Sequence, residues 1–104
     1  MLKLYTDGSC SPNPGLGGWA AIFYDNNNNP EKHCGYLENT TNNVMEITAV
    51  IEGLKHIKNY TKEVEIISDS QYVINTITNR FKIFSVTEDF EFICNYYYIF
   101  VYIS

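Results

Sequence analysis

The sequence predicts a mixed α/β sheet: three antiparallel strands, a parallel crossover strand and flanking helices. Three observations carry that expectation. Three β-prone runs fall before residue 40, divided by turn-forming residues. An apolar pattern at helical spacing follows them. A further β-branched run and a second helical pattern come next. Short connections return a strand antiparallel, whereas a helix-length connection returns it parallel by a right-handed crossover.

Leu2 to Thr6 alternates apolar and polar, as a half-buried strand does. Asp7 to Gly18 is rich in Gly, Pro, Ser and Asn and reads as a loop. Trp19 to Tyr24 is apolar and β-prone, the second strand. Asp25 to Pro30 is a turn whose Asn run is a solvated hairpin tip, and His33 to Glu38 is the returning strand. After the polar stretch Asn39 to Asn43, residues Ile47, Val50, Ile51, Leu54 and Ile57 recur at helical spacing, predicting a helix from about Asn43 to Asn59. Glu63 to Ser68 is a strand built on Val64, Ile66 and Ile67. Ser70 to Asn79 repeats Tyr72, Val73, Ile74 and Ile77 at helical intervals.

The character changes after Arg80. Nine of the sixteen aromatic residues lie in Phe81 to Ser104, and Tyr96 to Tyr102 has high β propensity and no charge. Two readings of that run stand, a buried strand or an exposed segment prone to aggregate.

A chain of 104 residues suits one small domain. Its net charge of −5 argues against a charge-driven nucleic-acid binder, which is normally basic. Any nucleic-acid chemistry must then come from a specific site with cations offsetting the acids. Cys10, Cys34 and Cys94 form no CxxC pair and suit reduced thiols. Met1 to Asp7 is too short for a signal peptide, and Tyr96 to Ile103 is far below the ~18 residues of a spanning helix. The expectation is a cytoplasmic, monomeric protein with no membrane partner.

Three acidic residues stand out by position. Asp7 ends the first strand and Asp69 ends the fourth, where sites in open α/β sheets gather. Glu46 lies in the first turn of the long helix, on the side of Val50 and Ile57. Three converging carboxylates repel one another unless hard cations sit between them, and Mg²⁺ takes carboxylate oxygens while keeping several waters. Plainer readings stay open. Asp7-Gly8 makes a common turn, Asn43 and Glu46 have capping-box spacing, and Asp69 could cap the second helix. Trp19 reads as a packing residue, and His33 and His56 as structural, since neither has partner spacing for a metal.

Three motifs around these acids carry a resemblance. They are Asp7-Gly8-Ser9-Cys10 with Asn13-Pro14-Gly15 and Gly17-Gly18-Trp19, then Thr40-Thr41-Asn42-Asn43-Val44-Met45-Glu46, then Ser68-Asp69-Ser70-Gln71-Tyr72-Val73. In order and spacing they resemble the ribonuclease H type I family over about residues 1–80. The resemblance implies a ribonuclease H-like domain over 1–80, followed by an atypical aromatic-rich tail over 81–104. It implies an endonuclease for the RNA strand of RNA–DNA hybrids, using two metal ions, Mg²⁺ or Mn²⁺, and leaving 5′-phosphate and 3′-hydroxyl ends. Asp7, Glu46 and Asp69 would be both catalytic residues and metal ligands. Gly8, Cys10, Asn42 and Gln71 would reach minor-groove atoms or RNA 2′-hydroxyls. Asn13, Thr41 and Asn43 would contact bases or DNA phosphates. Short amides and hydroxyls suit that task, because the 2′-hydroxyl distinguishes RNA from DNA.

The sequence departs from the family in two places. Val44 stands where relatives often carry Arg, Lys or Gln. The family's later helices, fifth strand, His-bearing loop and final helix with a fourth carboxylate are not recognisable after about Asn79. Glu88, Asp89 and Glu91 are the acids downstream, and no motif aligns them with the fourth position. The expectation is a chain cut short or rewritten before its C-terminal third. Its activity then has two readings, a working nuclease or a catalytically impaired fragment that at most binds hybrids.

Overall fold

In a computed structural model, which describes residues 2–57, 60, 63–78 and 98–103, the elements run β1 (Leu2–Cys10), β2 (Gly15–Tyr24), β3 (Pro30–Thr40), α1 (Asn42–Ile57), β4 (Glu63–Ser68), α2 (Gln71–Thr78) and β5 (Tyr98–Ile103). They make one five-stranded sheet in the order β3-β2-β1-β4-β5. The first three strands pair antiparallel, and β4 lies parallel to β1 after the α1 crossover. The expected mixed sheet is therefore present. It has a further member: Tyr98–Ile103 forms a strand that pairs parallel to β4.

Alternation decides which face of the sheet is covered. Along β1, Leu4, Thr6, Gly8 and Cys10 are buried, while Lys3, Tyr5, Asp7 and Ser9 are exposed. Helix α1 lays Ile47, Val50, Leu54 and Ile57 onto Leu4, Ala21 and Phe23, and Val64, Ile66, Val73 and Ile77 extend the same core. Each fully buried aliphatic or aromatic side chain contributes roughly 1.5–3 kcal/mol. Gly53 lets the helix sit this close: a Cβ there would come within 2.8 Å of the Leu4 methyls. Glycine inside a helix costs about 1 kcal/mol against alanine, which the closer packing offsets.

The sequence placed a loop over Asp7 to Gly18, and the structure shortens it at both ends. Gly8 pairs with Trp19, Ser9 with Gly18 and Cys10 with Gly17. Ladder partners and burial, rather than intrinsic preference, decide strand membership here. The hairpin tip contracts to Asp25–Asn29, where the Asp25 carboxylate accepts the N–H groups of Asn27 and Asn29, each at 2.9 Å. Trp19 is half-buried against the core, as expected of a packing residue. His33 and His56 prove to be partners, their rings stacked with centroids 3.5 Å apart. The stack ties β3 to the end of α1. The His33 Nε2–H donates to Glu31 at 3.1 Å, and the His56 Nδ1–H donates to the Glu52 carbonyl at 2.8 Å. Among the described residues no helix is long and apolar enough to cross a membrane.

Candidate metal centre

Each of the three acids had a plainer role available, and the structure gives each of those roles to another group. Asp7 does not make a turn: it sits inside β1, paired with Ala20. The α1 cap is Thr41, whose Oγ1 accepts the Val44 N–H at 3.2 Å, so the Asn43–Glu46 capping box does not form. The α2 cap is Ser70, whose Oγ accepts the Val73 N–H at 3.2 Å, so Asp69 is not the cap. A threonine or serine in these places typically contributes about 1 kcal/mol to its helix. With the caps supplied next door, all three carboxylates remain available for other work.

Topology then brings them together. The β1–β4 register matches Leu2 with Val64 and Tyr5 with Ile67, a constant offset (64 − 2 = 67 − 5 = 62). Carried two residues further, that offset sets Asp7 level with Asp69. Glu46 arrives from above, because α1 starts directly over β1. The approach needs Gly8: a Cβ there would lie 2.4 Å from the Met45 carbonyl carbon and 2.6 Å from the Glu46 nitrogen. One carboxylate oxygen from each of Asp7, Glu46 and Asp69 lies within 4.8 Å of the others.

Charge is concentrated at this point. Burial, then the negative charges of Asp69 and Asp7, push the Glu46 carboxyl up from 4.5 to about 7, against a smaller opposing effect of the Gly8 N–H. Glu46 Oε2 is buried and has no hydrogen-bond partner among the described residues. A buried carboxylate oxygen without a donor is costly. A divalent cation would relieve both the repulsion and the missing partner, and three oxygen donors at this separation suit a hard ion. Asp89 and Glu91, weighed as sources of a fourth ligand, lie outside the described residues.

The expected substrate residues divide by what they are already doing. Asn42 Oδ1 accepts the Cys10 N–H at 2.6 Å, and Asn13 Oδ1 accepts the Asn42 N–H at 3.1 Å. This relay holds the β1–β2 loop against the start of α1, an organising role that the sequence reading did not assign to them. Cys10 is buried, and its thiol lies within donating distance of two carbonyls, Pro12 at 3.1 Å and Thr40 at 3.3 Å, with one hydrogen to give to either. Its side chain is committed to the interior. Gly8 is the close-approach point already described, and Thr41 is the cap. Asn43 and Gln71 are exposed, with the Gln71 amide donating to Asn75 Oδ1 at 3.0 Å. Asn13, Asn42, Asn43 and Gln71 therefore all present polar groups at the protein surface around the acids. A shallow groove lined by Ser9, Ser11, Leu16, Gly18, Tyr36 and Glu38 continues along the outward face of β1 beyond Asp7. No local motif marks this groove; outward alternation along β1 and β3 is the only sequence signal for it.

Comparison with known proteins bears on the same region. The family model described as RNase H matches residues 1–92. Ribonuclease H of Thermoanaerobacter sp. (strain X514) is 55% identical over 75 residues, covering 72% of this chain and 47% of that protein. Ribonuclease H of Orientia tsutsugamushi (strain Boryong) is 48% identical over 81 residues, covering 78% of this chain and 47% of that protein. The chain thus spans about half the length of the curated relatives it matches. Among solved structures, LC11-RNase H1 in complex with an RNA/DNA hybrid superposes with a TM-score of 0.80 at 24% identity, covering 100% of this chain and 85% of that one. That likeness is one of fold.

Proposed function

This chain belongs to the ribonuclease H family, and on that premise we propose that it hydrolyses the RNA strand of RNA–DNA hybrids at a divalent-metal site formed by Asp7, Glu46 and Asp69. The observation that carries the reading is the meeting of those three carboxylates within 4.8 Å, with both helix caps supplied by other residues. The family assignment and a structural neighbour solved with a hybrid support the choice of substrate.

Asp7 and Asp69 would hold the metal directly, Asp7 from within β1 and Asp69 from just past the end of its parallel neighbour β4. Glu46 would hold one ion and orient the hybrid from the helix above. Two Mg²⁺ or Mn²⁺ ions, when bound, supply positive charge for the attacking water and for the leaving 3′ oxygen, giving 5′-phosphate and 3′-hydroxyl ends. Metal binding requires Glu46 in its ionised form, and so displaces the proton that its raised value of about 7 leaves partly bound near neutral pH. Gly8 lets the start of α1, and with it Glu46, close onto β1 beside Asp7, while Asn42 and Asn13 brace the β1–β2 loop that follows. Exposed amides at Asn43 and Gln71 can donate and accept at sugar edges, where the 2′-hydroxyl marks RNA.

The test is a hybrid labelled on its RNA strand, incubated with Mg²⁺ or Mn²⁺. Cleavage of the RNA strand alone, lost on chelation and in Asp7→Asn, is expected. An intact hybrid under both metals overturns the proposal, as does cleavage that survives Asp7→Asn.

A further inference from the structure

Strand β4 breaks its own pattern at its last residue. Val64, Ile66 and Ser68 share the inward face, and the first two are fully buried members of the core. By the same alternation the third position calls for an apolar side chain. It holds a serine that is only 1% exposed. A buried hydroxyl is costly unless it is hydrogen-bonded. Those of Thr6 and Thr40 have no partner among the described residues. The Ser68 hydroxyl has one: its Oγ accepts the Ser70 N–H at 3.1 Å. That bond reaches across Asp69, the residue between them. Places where a sequence breaks its own hydrophobic pattern tend to serve a site.

Ser70 is fixed on its other side as well. Its Oγ accepts the Val73 N–H at 3.2 Å, and its carbonyl accepts the Ile74 N–H at 3.2 Å. Ser68 is anchored in the sheet, paired with Ile103 of β5. Asp69 therefore stands where the chain turns, between two residues tied to each other and, separately, to the sheet and to α2. Its own side chain is exposed, so the backbone beneath it sets where the carboxylate points.

We propose that Ser68 is a positioning residue for the metal site: its buried hydroxyl holds the turn that aims Asp69 at Asp7 and Glu46. The inference rests on the metal-site reading above and adds to it a residue buried away from both metal and hybrid. Three ligands spaced within 4.8 Å work as one site only if each carrier is held to within about 0.5 Å. Asp7 is held by its ladder partner Ala20, and Glu46 by the close seating of α1 on Gly8. Asp69 lies beyond the last β1–β4 pair, Tyr5 with Ile67. The Ser68 bond supplies the restraint that the ladder does not. Groups that orient metal ligands are typically worth 10–100-fold in affinity, and one acting through the backbone belongs at the lower end, about tenfold.

Calorimetric titration of the full chain with Mn²⁺ is the test. Ser68→Ala should weaken binding about tenfold, and Ser68→Thr, which keeps the hydroxyl, should return most of it. Val64→Ala, buried in the same strand, should lower stability in urea and leave the affinity unchanged. The loss should also disappear once Asp69 no longer ligates. A chain carrying both Ser68→Ala and Asp69→Asn should bind within about twofold of Asp69→Asn alone, whereas independent effects would weaken it about tenfold further. Wild-type affinity in Ser68→Ala, an equal loss in Val64→Ala, no recovery in Ser68→Thr, or multiplying losses in the double variant would each overturn the proposal. The two levels separate cleanly. A wild-type chain that binds no Mn²⁺ overturns the metal-site reading and this proposal together. Binding that is lost in Asp69→Asn and kept in Ser68→Ala overturns this proposal alone. If Ser68→Ala does not fold, Ser68→Cys keeps the volume with a weaker acceptor and takes its place, with the same expected loss and the same contrary results.

Discussion

Replacing Glu46 by Gln should stabilise the metal-free protein, and by more as the pH rises. The Glu46 carboxyl is pushed from 4.5 to about 7 in the folded chain by burial and by Asp69 and Asp7. The native state therefore favours the protonated acid. Stability from that preference is fully present below the unfolded value near 4.5, and is lost as pH rises through the folded value of about 7. At roughly 1.4 kcal/mol per pH unit the displacement sets a ceiling of about 3.4 kcal/mol. The cluster is open to water, and solvent screening reduces the figure to roughly 1–2 kcal/mol. Glutamine keeps the shape and cannot ionise. Urea denaturation in the presence of a chelator, from pH about 4 to about 8, measures the difference between the two chains. The Gln variant should gain on the wild type by roughly 1–2 kcal/mol across that range, the gain centred between the two values. With saturating Mg²⁺ the order should reverse, because the wild type then gives up its proton and gains a ligand. A chelated difference that is flat with pH, or that moves in favour of the wild type at high pH, would refute the reasoning.

Other outcomes follow from the same geometry. Mg²⁺ at ten times its dissociation constant should stabilise the chain by about 1.4 kcal/mol, read as a rise in Tm, and Asp69→Asn should remove most of that gain. Gly8→Ala should cost about 1–3 kcal/mol in urea denaturation and weaken metal binding as well, since its methyl group meets the Met45 and Glu46 backbone. Asn42→Ala leaves the Cys10 N–H without its acceptor and should cost about 1–3 kcal/mol, measured the same way. Thr41→Ala should cost about 1 kcal/mol, and Thr41→Ser should restore most of it, because the hydroxyl alone caps α1.

Much of the fold was legible because its signals are local. The alternation of Leu2 to Thr6 and the spacing of Ile47, Val50, Leu54 and Ile57 depend on one element each, and both survive in the structure. The strand character of Gly8 to Cys10 and of Gly15 to Gly18 was not legible. It exists only through cross-strand pairing, which a glycine-rich sequence does not announce. Convergence of Asp7, Glu46 and Asp69 could be inferred from topology, since strand ends meet wherever a parallel crossover is made. The choice between site and cap could not. Thr41 and Asn43 both sit at the start of α1, as Asp69 and Ser70 do at the start of α2, and only the hydrogen bonds show which residue caps. The His33–His56 stack escaped for the same reason, because the two rings come from elements that are apart in sequence and meet only when α1 folds over the sheet. Tyr98–Ile103 is a strand paired with β4, which its β propensity suggested and its local sequence could not place in the sheet.

Titration of Mn²⁺ into the full chain, followed by calorimetry, most directly tests whether three acids from two strands and a helix form one cation site. Saturable binding is expected in the wild type, and Asp7→Asn, Glu46→Gln and Asp69→Asn should each weaken it by at least tenfold, or about 1.4 kcal/mol. Asp25→Asn, at the hairpin tip, should leave it unchanged. Wild-type affinity retained in all three acid variants would contradict the site.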